Sequence, residues 1–75
     1  MKLIPSYKPM EITLIRKDKT KTDLKRDLKI SPATLAKMSK GENVALSILI
    51  NICEYLECNI EDVIELVQTE ENHQS

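Results

Sequence analysis

The sequence predicts an all-α fold in which five short helices pack into one compact domain. The chain has 75 residues, which is enough for a single small core. It contains one glycine and three prolines, too few for the tight turns that a series of short strands requires. Its leucine, isoleucine and valine residues recur at intervals of three and four, as residues on one face of a helix do.

The first predicted helix covers residues 9–17 and follows a leader of residues 1–8. Pro9 suits its first position, where the N–H that proline lacks would have no partner inside the helix. The residues predicted to face the core at helical spacing are Met10, Thr13 and Leu14.

The second predicted helix begins at Lys21. Thr20 is its N-cap, and Asp23 follows three residues later, where it completes a capping box. Leu24 and Leu28 lie one turn apart, so they define the face of this helix that is predicted to be buried.

The third predicted helix covers residues 32–39. Ser31 supplies a hydroxyl N-cap, and Pro32 suits the first helical position. Gly41 follows the last turn, where a left-handed residue commonly ends a helix. Both ends of this helix are therefore defined by local chemistry.

A fourth and a fifth helix are predicted over residues 45–56 and 60–67, and no strand is predicted. The apolar residues that support them are Leu46, Leu49, Ile50, Cys53 and Leu56 in the fourth, and Ile60, Val63, Ile64 and Val67 in the fifth. The domain is expected to span residues 9–67, and residues 68–75 are expected to be a flexible acidic tail.

Charge is divided unequally along the chain. Residues 1–40 hold all eleven lysines and arginines and four of the twelve acids, for a net charge of +7. Residues 41–75 hold the other eight acids and no base, for −8. Such asymmetry indicates a polyanionic partner for the basic half, unless the two halves only attract each other within the fold.

Five apolar residues predict how the second and third helices meet, and they are separated by 4, 2, 5 and 3 positions. They are Leu24, Leu28, Ile30, Leu35 and Met38. This spacing is typical of two short helices joined at a steep angle through a tight turn, which is a helix-turn-helix. Any tight helical hairpin would share these features, so the spacing favours that unit without excluding other helix pairs.

The outer side of the third helix carries small and basic residues. Ala33, Ala36, Lys37 and Lys40 lie opposite Leu35 and Met38. A helix that enters the DNA major groove needs small side chains where its backbone approaches the bases, and a lysine reaches guanine acceptors or phosphate. The alanines are equally explained by helix propensity on a solvated face.

The segment of residues 20–44 resembles the Cro/lambda-repressor-type (XRE) helix-turn-helix proteins, and the likeness extends over residues 6–67. The resemblance is closest in residues 31–44. It implies a five-helix, lambda-repressor-like DNA-binding domain, sequence-specific binding to double-stranded operator DNA, and a homodimer on a pseudo-palindromic site. By position it also implies base contacts from Pro32, Ala33, Thr34 and Lys37, and backbone contacts from Lys21, Thr22, Ser31, Lys40 and Asn43.

Two residues depart from that family's pattern. Lys25 stands where the family often has a small residue between the two helices, and Lys29 stands where it often has a glycine in the turn. We expect the Lys25 side chain to extend past the helix contact. Lys29 either adopts a left-handed conformation at a cost of about 1 kcal/mol, or the turn differs locally.

Nothing in the sequence indicates an enzyme, a cofactor or a metal site. The one histidine, His73, lies in a polar segment, and there is no glycine-rich phosphate loop. Cys53 is expected to be a buried free thiol, and the protein is expected to be cytoplasmic. The alternative function is a protein-interaction module of the same fold, such as an antitoxin or anti-repressor, that uses the acidic half.

Overall fold

A computed structural model describes residues 1–69. Within these residues, four α-helices pack with one short 3-10 helix and a two-stranded antiparallel sheet. The elements are β1 (Leu3–Ser6), α1 (Lys8–Arg16), α2 (Lys21–Leu28), α3 (Pro32–Ser39), α4 (Leu46–Leu56), the 3-10 helix (Ile60–Asp62) and β2 (Glu65–Gln68). The predicted acidic tail lies outside the described residues from position 70 onward. Within residues 1–69, no helix is long and apolar enough to cross a membrane.

The predicted starts of α2 and α3 are confirmed by their caps. The Thr20 hydroxyl accepts from the N–H of Asp23 at 3.3 Å, and the Asp23 carboxylate accepts from the N–H of Thr20 at 2.8 Å. In α3, Ser31 Oγ accepts from the N–H of Thr34 at 3.1 Å. These bonds satisfy N–H groups that have no partner inside their own helix.

The end of α3 is also as predicted. Gly41 has a φ of +74°, and its N–H donates to the carbonyl of Met38, while the N–H of Glu42 donates to the carbonyl of Lys37 at 2.9 Å. These two bonds form a Schellman ending. A Cβ at Gly41 would lie 3.2 Å from the carbonyl oxygen of Pro5, so this position packs closely against β1.

The predicted fifth helix is wrong, and so are the prediction of no strands and the all-α class. Only one 3-10 turn forms, at Ile60–Asp62, and the chain then extends into β2. The carbonyls of Asp62 and Val63, which would continue a helix, accept hydrogen bonds from α1 instead. Thr13 Oγ1 donates to the first at 2.7 Å, and the N–H of Met10 donates to the second at 3.1 Å.

The core contains most of the residues predicted for α1, α2 and α3, but α4 is rotated from its predicted orientation. Leu49, Ile52 and Leu56 are buried, whereas Leu46 and Ile50 are 64% and 46% exposed. Because α4 is apolar on almost every side, its sequence is compatible with more than one buried face. The buried apolar residues are Tyr7, Met10, Leu14, Leu24, Ile30, Leu35, Met38, Leu49, Ile52, Leu56 and Val63.

Lys29 adopts the left-handed conformation, with φ 59° and ψ 33°. We therefore expect Lys29→Gly to raise the free energy of unfolding by about 1 kcal/mol, because glycine adopts this conformation without a Cβ penalty. Urea denaturation of the purified protein measures this effect. Lys25→Gly, in the interior of α2, is the matched control and should lower stability by about 1 kcal/mol. Equal effects of the two substitutions would contradict the strain at Lys29.

Candidate nucleic-acid interface

The unit formed by α2, the turn and α3 is held together by the predicted apolar residues. Leu24, Ile30, Leu35 and Met38 are buried, and Leu28 is partly buried against the same core. Since these side chains occupy the inner faces of both helices, the outer face of α3 is left to solvent. Lys25, which stands where the family often has a small residue between the two helices, is exposed.

The outer face of α3 carries three of the four residues that the sequence predicted to contact bases. Pro32, Ala33 and Lys37 are exposed, and Ala33 and Lys37 are one helical turn apart. Thr34 is half-buried, and its hydroxyl accepts from Ser31 Oγ at 3.1 Å. The exposed residues of the first turn of α3 are therefore small, and the first basic group along the helix is Lys37.

The predicted backbone-contact residues lie on three different elements. Lys21 and Thr22 form the first turn of α2, Ser31 caps α3, Lys40 ends it, and Asn43 lies in the loop that follows. Four of them are exposed, while Lys21 is half-buried. The start of α2 combines a lysine with the positive end of a helix, which favours an anion.

Sequence reasoning missed two contacts that position these residues. Lys21 Nζ lies 3.5 Å from the carboxylate of Glu11 in α1, so an acid holds the lysine at the start of α2. The buried Tyr7 donates through its hydroxyl to the carbonyl of Glu42 at 2.8 Å and so fixes the loop before Asn43. Neither pair has a local sequence pattern, because the partners are 10 and 35 residues apart.

A polar network joins α2 to α4. Arg26 pairs with Asp27 at 3.0 Å and with Asp23 at 2.6 Å, and these carboxylates raise the pKa of the guanidinium. The Tyr55 hydroxyl donates to Asp27, and the Lys19 ammonium lies 5.2 Å from the centre of the Tyr55 ring. Arg26 is thus already neutralised within the protein, so it adds little to the positive field of α2.

Acid should weaken the start of α2. Hydrogen bonds from the Thr20 N–H and from Arg26 lower the pKa of Asp23 below its usual value of 3.8. A lowered folded-state pKa contributes stability above the unfolded pKa, and that contribution is lost as the pH falls through the folded pKa. We expect Asp23→Asn to unfold at a lower temperature than the natural protein above pH 5, with the difference shrinking below about pH 4. A difference that stays constant from pH 6 to pH 3 in thermal unfolding would contradict this role of the carboxylate.

Metal ligands and thiols are the other side-chain groups that could form a site. Among residues 1–69, no group of three or more histidine, cysteine, aspartate or glutamate side chains could hold a metal ion. Cys53 is a free thiol as expected, but it is half-buried rather than buried. His73 lies outside the described residues.

Two of three comparisons with known proteins find a match. A family model described as the Cro/C1-type helix-turn-helix DNA-binding domain matches residues 10–69, which contain every element from α2 to β2. A crystal structure described as the transcriptional regulator VanUg is 38% identical and superposes with a TM-score of 0.86, over 92% of each chain. A comparison with curated proteins gives no match.

Proposed function

The chain belongs to the family of Cro/C1-type helix-turn-helix DNA-binding domains, and from that premise we propose that it binds operator DNA sequence-specifically to regulate transcription. The observation that carries the proposal is the exposed face of α3. Small residues occupy its first turn and Lys37 follows, while its opposite face is held in the core. That arrangement fits a helix that places its amino-terminal end in the major groove.

Base contact is assigned to Pro32, Ala33, Thr34 and Lys37 on α3. Pro32 and Ala33 allow the backbone to approach the base edges, and the Ala33 methyl can contact a thymine methyl. Lys37 reaches the O6 and N7 acceptors of guanine. Thr34, whose hydroxyl is bonded to Ser31, contacts a base from the edge of the interface through its methyl group.

Phosphate contact is assigned to Lys21, Thr22, Ser31, Lys40 and Asn43. The lysines neutralise phosphates, while the hydroxyls and the amide donate hydrogen bonds to phosphate oxygens. Each phosphate that a lysine neutralises should add about 0.9 to the slope of log affinity against log salt. Lys21→Ala and Lys40→Ala should therefore each reduce that slope by a similar amount without changing the preferred sequence.

A homodimer on a pseudo-palindromic site is the proposed assembly. One short α3 helix contacts few base pairs, and two half-sites about 34 Å apart would double that number. Exposed apolar side chains are available for the contact between copies, including Ile12 at 58% and Leu66 at 64% exposure. Sedimentation of the protein with and without its operator tests this assembly, and a monomer in both cases would contradict it.

Repression is proposed over activation, because occupying an operator requires no surface other than the DNA interface. Cytoplasmic location follows from the same role. Selection of genomic DNA fragments by the purified protein tests the proposal. Recovery of one enriched motif with two-fold symmetry is expected. Failure to retain any sequence above background at low and at physiological salt would instead favour a protein-interaction module, such as an antitoxin or anti-repressor.

A further inference from the structure

Two cysteines meet where α4 ends. Glu57, the first residue after the helix, is left-handed, with φ 55° and ψ 56°. The N–H of Cys58 donates to the carbonyl of Cys53 at 3.0 Å. The N–H of Glu57 donates to the same carbonyl. Side chains at two positions joined as Cys53 and Cys58 are commonly contact each other at helix ends.

Both thiols are accessible to a small molecule. Cys53 and Cys58 are free and half-buried. They line an open cavity of about 570 Å³ whose wall also includes Arg16, Lys17 and Ile50. A compact reagent can therefore reach either sulfur, while the backbone holds the two side chains near each other.

We propose that Cys53 and Cys58 form a dithiol site that a low-molecular-weight disulfide oxidises to an intramolecular disulfide. The hydrogen bond between the N–H of Cys58 and the carbonyl of Cys53 keeps the two residues close together at the end of α4. Bridging requires close Cα atoms and converging Cβ atoms. The two thiols are close enough here to hydrogen-bond with each other.

The reaction balances as two thiol–disulfide exchanges. The thiolate of Cys58 attacks one sulfur of the small disulfide, forms a mixed disulfide and releases one small thiolate. Cys53 then loses its proton to solvent and attacks Cys58 Sγ, which expels the second small thiolate. One small disulfide is reduced to two thiols, and the two cysteines are oxidised to one disulfide.

The surrounding charges assign Cys58 as the first nucleophile. Burial raises the pKa of both thiols, but Lys17 and Arg16, which line the same cavity, oppose that rise at Cys58. At Cys53, the effect of burial is reinforced by Asp62 and Glu54. Asp62 also raises the pKa of Cys58, and Glu57 lines the same cavity. Because both pKa values are raised, the reaction should accelerate as the pH increases above 7.

Oxidised glutathione is the probe for the test. The reduced chain is incubated with it at pH 8, folded and in concentrated urea, and the products are resolved by mass. In the folded protein we expect loss of two hydrogen atoms with no lasting glutathione adduct. We also expect the effective concentration of one thiol at the other to be at least about tenfold higher in the folded protein than in urea. A stable adduct in the folded chain, or an effective concentration no higher than in urea, would overturn the proposal.

Single substitutions separate the roles of the two sulfurs. Cys53→Ser leaves Cys58 able to attack oxidised glutathione, but no second thiol can then displace the bound glutathione. This variant should therefore accumulate the mixed disulfide. Cys58→Ser retains Cys53, whose acidic neighbours disfavour the thiolate, and should form the adduct more slowly under the same conditions. Equal rates, or a faster reaction of Cys58→Ser, would overturn the assignment of Cys58 as the attacking thiol. Thermal unfolding of both variants establishes that the rates refer to folded protein.

Discussion

Lys37→Glu should reduce affinity for the selected operator by about 10- to 100-fold. A good lysine contact to guanine contributes about 1–3 kcal/mol of discrimination, and each 1.4 kcal/mol corresponds to a factor of ten. The carboxylate that replaces the ammonium would also face the acceptors and phosphates of the groove. Binding of a fluorescent operator duplex, measured at one fixed salt concentration, gives the change directly.

Lys17→Glu is the matched control for this substitution. Lys17 is exposed and follows the last residue of α1, and Lys37 lies in the last turn of α3. Each substitution therefore places a carboxylate near the carboxyl end of a helix. Each lowers the charge of the basic half equally. We expect Lys17→Glu to reduce affinity only slightly and without changing the preferred sequence. Equal losses from the two reversals would mean that the overall field, rather than the face of α3, determines binding.

Leu24→Ala should destabilise the protein by about 2–5 kcal/mol. The side chain of Leu24 in α2 is 0% exposed in the core, so the truncation removes apolar contacts and leaves a cavity. A domain of this size has a total stability of about 4–11 kcal/mol, so the variant should be partly unfolded near 37 °C. Urea denaturation followed by circular dichroism measures the shift in the midpoint.

Leu46→Ala provides the comparison, because it makes the same chemical change at a side chain that is 64% exposed. Its effect on the free energy of unfolding should stay within about 0.5 kcal/mol. A loss at Leu46 as large as that at Leu24 would mean that α4 buries the face predicted from its sequence. It would therefore contradict the orientation of α4 in the structure.

The candidate interface was largely predictable because its features are local in sequence. Lys37 and Ala33 are one turn apart on a helix whose buried side is defined by Leu35 and Met38, so their exposure follows from helical geometry. The contacts that position the interface were not predictable. The Glu11–Lys21 pair joins α1 to α2, and the sequence pattern of neither helix indicates that these two side chains meet.

The sequence by itself determined where α2 and α3 begin and where α3 ends. The caps at Thr20 and Ser31 and the left-handed residue at Gly41 act within a few positions of the backbone groups that they satisfy. Such interactions form in the same way whatever the rest of the chain does. These helix ends can therefore be predicted from the sequence.

Only the tertiary structure determined the conformation of residues 60–67 and the orientation of α4. In the sheet, Ile4 pairs with Val67 across 62 intervening positions, and hydrogen bonds from α1 take the carbonyls that a fifth helix would need. For α4, several apolar faces were available, and packing selected the one that contains Ile52. A short apolar segment is compatible with either helix or strand until a distant partner supplies its hydrogen bonds and its buried surface.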